Sequence, residues 1–248
     1  MKLALLSDIH ANLHALEACL PDARDRGATQ YACLGDLVGY GAEPSAVLDR
    51  VMEFAAQGAW VVRGNHDQVA VQPPADTSRA DAAGAAWTHA QLSPAQRAFL
   101  AGLPLTFCQG SIFLVHASAH EPQRWHYVED ARGARASLEA AGDGVSHLFG
   151  GHVHEQRLFY RGAGHGLMAF TPTPGVAVPV PAHRQWLATV GSVGQPRDGR
   201  SEAMYAMFDT AALHLTFMRV PYNHLAAAQC IRAAGLPAFH ADRLALGR

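Results

Sequence analysis

Residues 2–10 read KLALLSDIH, a short apolar run that stops abruptly at a polar pair. A run of that length with polar ends suits a strand buried in an α/β sheet. Residues 12–24 follow with Leu13, Leu16, Ala18 and Leu20 at helical spacing, and Gly27 lies just beyond the end. Residues 31–34 form the next apolar run, closed by Gly35-Asp36. Pro44 opens a helix whose apolar face carries Val47, Leu48, Val51 and Phe54. Residues 60–62 are a third run, ending at Arg63-Gly64-Asn65-His66-Asp67. Strand, helix, strand, helix, strand in this order predicts parallel strands joined by helical crossovers.

The rest of the chain continues in the same vein. Residues 80–102 read as helix, broken at Ser93-Pro94, where Ser93 can cap a new helix with Pro94 at its first position. Residues 105–115 read as a hairpin split at Gln109-Gly110. A helix is predicted over 131–141 and a strand over 146–149, with 156–160 expected to pair beside it. Residues 171–181, rich in Pro and Val, read as an extended loop or edge segment. Residues 204–208 and 213–220 predict an antiparallel pair, and 223–234 a terminal helix. The tail beyond Pro237 carries no readable role. The whole chain, 1–248, is expected to be one α/β domain.

Composition narrows the classes. The 248 residues are 49% hydrophobic and 16% charged, as in a globular protein. Net charge is −2 with no Lys/Arg run, so stable nucleic-acid binding is not expected. Cys19, Cys33, Cys108 and Cys230 show no CxxC spacing and read as reduced thiols in or near the core. The N-terminal apolar run is too short for a signal segment, and no stretch approaches a membrane span. A cytoplasmic, membrane-free protein is therefore expected. The sequence does not set its oligomeric state.

The polar clusters fall where the apolar runs end, and ligands of open α/β sheets gather at carboxyl ends of strands. Asp8 and His10 stand two apart, as do His152 and His154; on an extended segment such pairs face one way. Asp36 offers a carboxylate able to bridge two ions, Asn65 a neutral carbonyl oxygen, and His116 a further imidazole. Seven candidate ligands of this type are what a two-metal hydrolytic site requires.

The ordered set Asp8-Ile9-His10, Gly35-Asp36, Gly64-Asn65-His66-Asp67, His116 and Gly151-His152-Val153-His154 resembles the calcineurin-like metallophosphoesterase superfamily. The flanking Gly35–Gly41 and 191–197 stretches look like a branch of small, stand-alone bacterial phosphoesterases. The resemblance implies a fold of two packed mixed β-sheets flanked by helices. It implies Asp8, His10 and His154 on one divalent ion, Asn65, His116 and His152 on another, and Asp36 between them. The ions would be Mn²⁺, Fe or Zn²⁺, with Mn²⁺ favoured. It further implies hydrolysis of phosphoesters by a bridging hydroxide, with a small phosphorylated or nucleotide diester as the leading substrate. Phosphomonoesters, phosphoproteins and diadenosine polyphosphates are the alternatives, and a non-catalytic metal scaffold a weaker one.

His66 is assigned as general acid, since it adjoins Asn65 yet points differently, and Asp67 is expected to orient its imidazole. Asn12, Tyr40 and Arg124 are candidate substrate contacts; Asn12 equally suits a helix cap. Residues 191–197 are a candidate loop near the site, and His120 and His126 candidates for the cleft wall. The other histidines, His165 and His240 among them, read as surface or packing residues. Ala11 and Ala117 stand where relatives often carry Gly, and a positive φ there would be costly.

Overall fold

The computed structural model describes residues 1–162 and 166–248. The predicted His165 lies outside the described residues. Strand β1 (Lys2–Leu6) shows why the apolar run reads as doubly buried. Ala4 and Leu6 pack toward helices α1 (Leu13–Asp25) and α2 (Pro44–Ala56), while Leu3 and Leu5 face a second sheet. Successive side chains point to opposite faces, so a strand with cover on both sides has no polar alternation.

The first sheet runs β3-β2-β1-β11-β12-β9, with β2 (Gln30–Cys33), β3 (Trp60–Val61), β9 (Ala177–Pro179), β11 (Ala203–Asp209) and β12 (His214–Val220). Parallel pairing of β1 with β2 and of β2 with β3 matches the predicted crossovers. The second sheet runs β4-β5-β6-β10-β7-β8: β4 (Thr106–Gln109), β5 (Ile112–Val115), β6 (His147–Gly150), β7 (Gln156–Arg161), β8 (Leu167–Phe170) and β10 (Trp186–Val190). The sheets meet through Leu3, Leu5, Phe149, Leu158, Val190 and Phe208. Helix α6 (Ala131–Ala141) covers the far face of the second sheet through Ala134 and Leu138. This is the expected pair of mixed sheets with helices outside. Among the described residues no helix is long and apolar enough to cross a membrane.

Three expectations need correction. Strand β7 does not pair with β6, because β10 lies between them, with Leu187 opposite Leu148 on one side and Phe159 on the other. All five residues of β10 are buried, and a strand covered on both faces takes a central place. Residues 65–67 do not sit in a strand-end loop but open helix α3 (Asn65–Val71), followed by α4 (Ala80–Gln91) and α5 (Pro94–Gly102). After α7 (His224–Ala233), the tail beyond Pro237 forms α8 (Ala238–Leu246), which packs on α7 and reaches the site. The third correction is Cys108, expected in or near the core but exposed on the edge strand β4, whereas Cys19 and Cys33 are buried.

Candidate active site

Asp8 and His10 lie beyond the end of β1, and the chain there is not extended. Asp8, His10, Asp36, His152 and His154 all adopt left-handed backbone, with φ between 49° and 69°. This replaces the expected i, i+2 geometry of an extended segment. Each such residue costs about 1–3 kcal/mol, so the surrounding contacts must hold it. They are backbone bonds between loops: Asp8 N donates to Gly35 O (3.0 Å), His10 N to Asp36 O (2.9 Å) and Gly194 N to Asp8 O (2.9 Å). Ala11 shares the conformation at φ 51° and is tied to Leu37 O. Gly151 explains the tightness, since a Cβ there would fall inside the Ser7 hydroxyl and the Asp8 carboxylate.

The predicted ligands converge in two groups. Asp8, His10 and His154 bring one atom each to a common point, and Asp36, His116 and His152 do the same. His10 Nε2 stands 3.0 Å from His154 Nε2, and His154 Nε2 stands 3.2 Å from Asp8 Oδ1. His116 Nε2 lies 3.1 Å from both His152 Nδ1 and Asn65 Oδ1. The two groups meet at Asp36 Oδ2, which is 3.8 Å from His10 Nε2 and 3.3 Å from His116 Nε2.

The far nitrogens fix the tautomers. His10 Nδ1 faces Val38 O (3.3 Å), His116 Nδ1 faces Leu34 O (2.8 Å) and His154 Nδ1 faces Gln195 O (2.6 Å). A ring that donates Nδ1–H to a carbonyl presents the bare lone pair of Nε2, the usual arrangement behind a metal ligand. The centre is therefore lined by lone pairs facing one another. Asp8 Oδ1 is buried without a hydrogen-bond partner, while Asp8 Oδ2 accepts from His152 N (2.9 Å). An orphaned buried carboxylate oxygen is costly unless a cation meets it, so these residues fit divalent metal ions.

Buried side by side, these groups shift one another's titration. Burial and nearby histidines push His10 down to about 3 despite Asp8, and burial with the His116 charge brings His152 to about 4. Burial opposes a charge on His116 too, but the Asp36 carboxylate carries it up to about 9. Burial resists the Asp36 charge, yet His116 and His66 hold that carboxyl below its ordinary range.

The calcineurin-like phosphoesterase superfamily domain matches residues 1–212. The chain belongs to that superfamily. It is 31% identical to the uncharacterized protein MJ0912 of Methanocaldococcus jannaschii over 257 aligned positions, covering 99% of this chain and 98% of that protein. A metallophosphoesterase from Sphaerobacter thermophilus is 32% identical, with all of both chains covered and a TM-score of 0.88. The hypothetical protein PH1004 from Pyrococcus horikoshii shares the fold, with 20% identity, coverage of 100% and 98%, and a TM-score of 0.80. The protein is thus a phosphoric ester hydrolase of a metal-dependent family.

Around the candidate metal ligands of this phosphoesterase, the predicted residues divide. His66 reaches the site: its ring lies 5.2 Å from that of His10 and 4.3 Å from that of Tyr40. Gly39 closes over it, since a Cβ at that position (φ 91°) would stand 2.7 Å from His66 Nδ1. Asp67 does something other than expected. Its carboxylate accepts from Leu37 N (2.9 Å), Val38 N (3.2 Å) and Gly64 N (2.9 Å), and no hydrogen bond joins it to the His66 ring among the described residues. It ties the Asp36 loop to the start of α3, where His66 N donates to Asp36 Oδ1 (2.8 Å). Burial, with Asp36 nearby, pushes Asp67 up to about 7 against the pull of those N–H donors.

Tyr40 stands among His10, His66 and His240, with the Arg197 guanidinium 5.8 Å over its ring. Asn12 caps α1 by accepting from Ala15 N, and its amide donates to Gly194 O (2.9 Å) and Tyr222 Oη (3.1 Å). The cap reading holds, and the side chain is engaged at three points. Arg124 is exposed in a 3-10 turn, where its guanidinium pairs with Glu121 at 3.2 Å. Its neighbours are the ones that approach: the Trp125 ring lies 5.9 Å from that of His116, and Tyr127 stacks on His152 at 4.0 Å. His120 and His126 are half exposed and share Glu121. Residues 191–197 do border the site, through Gln195 O and Arg197. The sequence reading missed Trp125, Tyr127 and His240. The aromatic pair following the His116 strand was the available signal for the first two.

Proposed function

We propose that this phosphoesterase is a dinuclear-metal phosphodiesterase acting on a small phosphorylated or nucleotide substrate, with residues 1–248 forming one catalytic domain. Asp8, His10 and His154 would hold one ion, Asn65, His116 and His152 the other, and Asp36 both. The position of Asp36 Oδ2 between the two groups carries this reading. Mn²⁺ is the favoured ion, and Fe or Zn²⁺ also suit such N/O ligands. Bound there, two divalent ions supply an activated water and neutralise charge on the phosphoryl oxygens.

The chain's own contribution is proton delivery and shape. His66 sits beside the ligands without sharing their atoms, so its ring is free to protonate the leaving oxygen. Burial lowers its pKa, while the Asp36 carboxylate pulls the other way. General acid catalysis of this kind contributes about 10²–10⁴-fold.

The test compares bis-p-nitrophenyl phosphate with p-nitrophenyl phosphate in Mn²⁺, for wild type and His66→Ala. The expected result is diester preference and a fall of at least ~10-fold in the variant. Equal rates in the two proteins would remove the acid role. Monoester preference would make the enzyme a phosphatase.

A further inference from the structure

Beyond His66 the structure opens into a cavity of about 200 Å³ that metal binding does not use. Three parts of the fold line it: the Tyr40 loop with His66, one side of α4, and α8. On α4, Ala80, Gly84 and Thr88 stand four residues apart and so share a face, leaving a shallow slot. On α8, the Phe239 and His240 rings are 4.0 Å apart, and His240 meets Tyr40 at 4.7 Å. His240 is 6% exposed, and its Nδ1 makes no hydrogen bond among the described residues. Arg243 lies 5.6 Å over Phe239, with no acidic partner among the described residues.

We propose that this cavity seats the leaving group of the substrate, and that this group is a nucleoside. The inference rests on the hydrolysis proposed above, with His66 as proton donor. In an in-line displacement, the attacking and leaving oxygens lie on opposite sides of phosphorus. Water's oxygen bonds to phosphorus and its proton passes to solvent, the P–O bond to the nucleoside breaks, and the His66 proton goes to the departing oxygen. Solvent then returns a proton to His66. Whatever is attached to that oxygen must lie beside His66, which itself lines the cavity.

The lining selects the chemistry. The aromatic cluster of Tyr40, Phe239 and His240 lines the cavity and gives a flat base an apolar, polarisable wall, and aromatic contact of this kind is tolerant of which base it meets. Thr88 and Arg243 offer polar contacts to ring edges and sugar hydroxyls. The volume is below the roughly 300–1,000 Å³ of drug-sized sites, so it fits one such group and not a polymer.

Isothermal titration of adenosine into the Mn²⁺-loaded protein tests this. Adenosine carries no phosphate and so does not compete for the ions as a phosphoryl ligand. A Cβ at Gly84 meets nothing within 4 Å, so Gly84→Leu fills the slot without a backbone clash. Ala80→Leu, at an exposed position, provides a second block. Wild type is expected to bind adenosine with a Kd under ~1 mM. Each leucine variant should weaken it at least tenfold while leaving inhibition by inorganic phosphate unchanged. No binding to wild type, or wild-type affinity in both variants, overturns the proposal. Turnover of bis-p-nitrophenyl phosphate in the same samples separates the two readings. Turnover without adenosine binding overturns the cavity proposal alone. Adenosine binding without turnover overturns the leaving-group role by removing the reaction.

Discussion

On the floor of the site, His10, His116 and His154 are each held by a backbone carbonyl at the far nitrogen, and Asp8 and Asp36 by backbone N–H groups. On the rim, Tyr40, His66, Phe239 and His240 touch one another through ring faces and edges. Arg197 and Arg243 lie over rings and have no acidic partners among the described residues. The floor is over-determined: five left-handed candidate ligand residues are stitched between loops from both sheets. The rim is assembled from the Tyr40 loop and from helices α3 and α8, outside both sheets. The candidate ligands are thus held by main chain, while the rim around them is left to side chains.

That contrast breaks first at Gly151. Gly151→Ala forces a methyl group against Ser7 and Asp8, with nowhere for the backbone to yield. Overpacking of this kind costs about 1–3 kcal/mol. It should lower the melting temperature by about 2–12 °C. It should also weaken metal binding at least ~10-fold, as loss of a ligand's support commonly does. Calorimetry and metal titration check both, and an unchanged melting temperature would mean that the floor is softer than its hydrogen bonds imply.

A rim substitution sharpens the comparison from the other side. Arg197 donates to Gln195 Oε1 (2.9 Å) and lies over Tyr40, without an acid to compensate it. Arg197→Gln should raise KM about 10-fold, the worth of a charged hydrogen bond to an anionic substrate. Stability should move by no more than ~0.5 kcal/mol. A large loss of stability with unchanged KM would place Arg197 in the scaffold instead.

The sequence carried the floor better than the rim, for physical reasons. Asp8, Asp36, Asn65, His116 and His154 follow apolar runs, and strand ends are where ligands collect, so this cluster of candidate ligands could be picked out without knowing the backbone between them. The left-handed turns could not be read, because Asp8-Ile9-His10 looks identical as an extended segment. Strand β10 was hidden in a five-residue buried run beside a Pro-rich stretch, where helix and strand look alike. His240 was invisible for another reason: Gly235-Leu236-Pro237 signals a stop, and only tertiary packing brings α8 back over Tyr40. Asp67 was read as a partner for His66 from adjacency alone, whereas its backbone donors come from residues 37, 38 and 64.

The most direct test of the central claim is the metal content of Asp36→Asn beside wild type, each saturated with Mn²⁺, freed of excess ion and analysed by mass spectrometry. If Asp36 joins two ions, wild type holds two per chain. The variant then holds one or fewer, with hydrolysis of bis-p-nitrophenyl phosphate reduced more than ~100-fold. Two ions retained in Asp36→Asn with near-normal turnover would contradict the bridging carboxylate and the dinuclear site built on it.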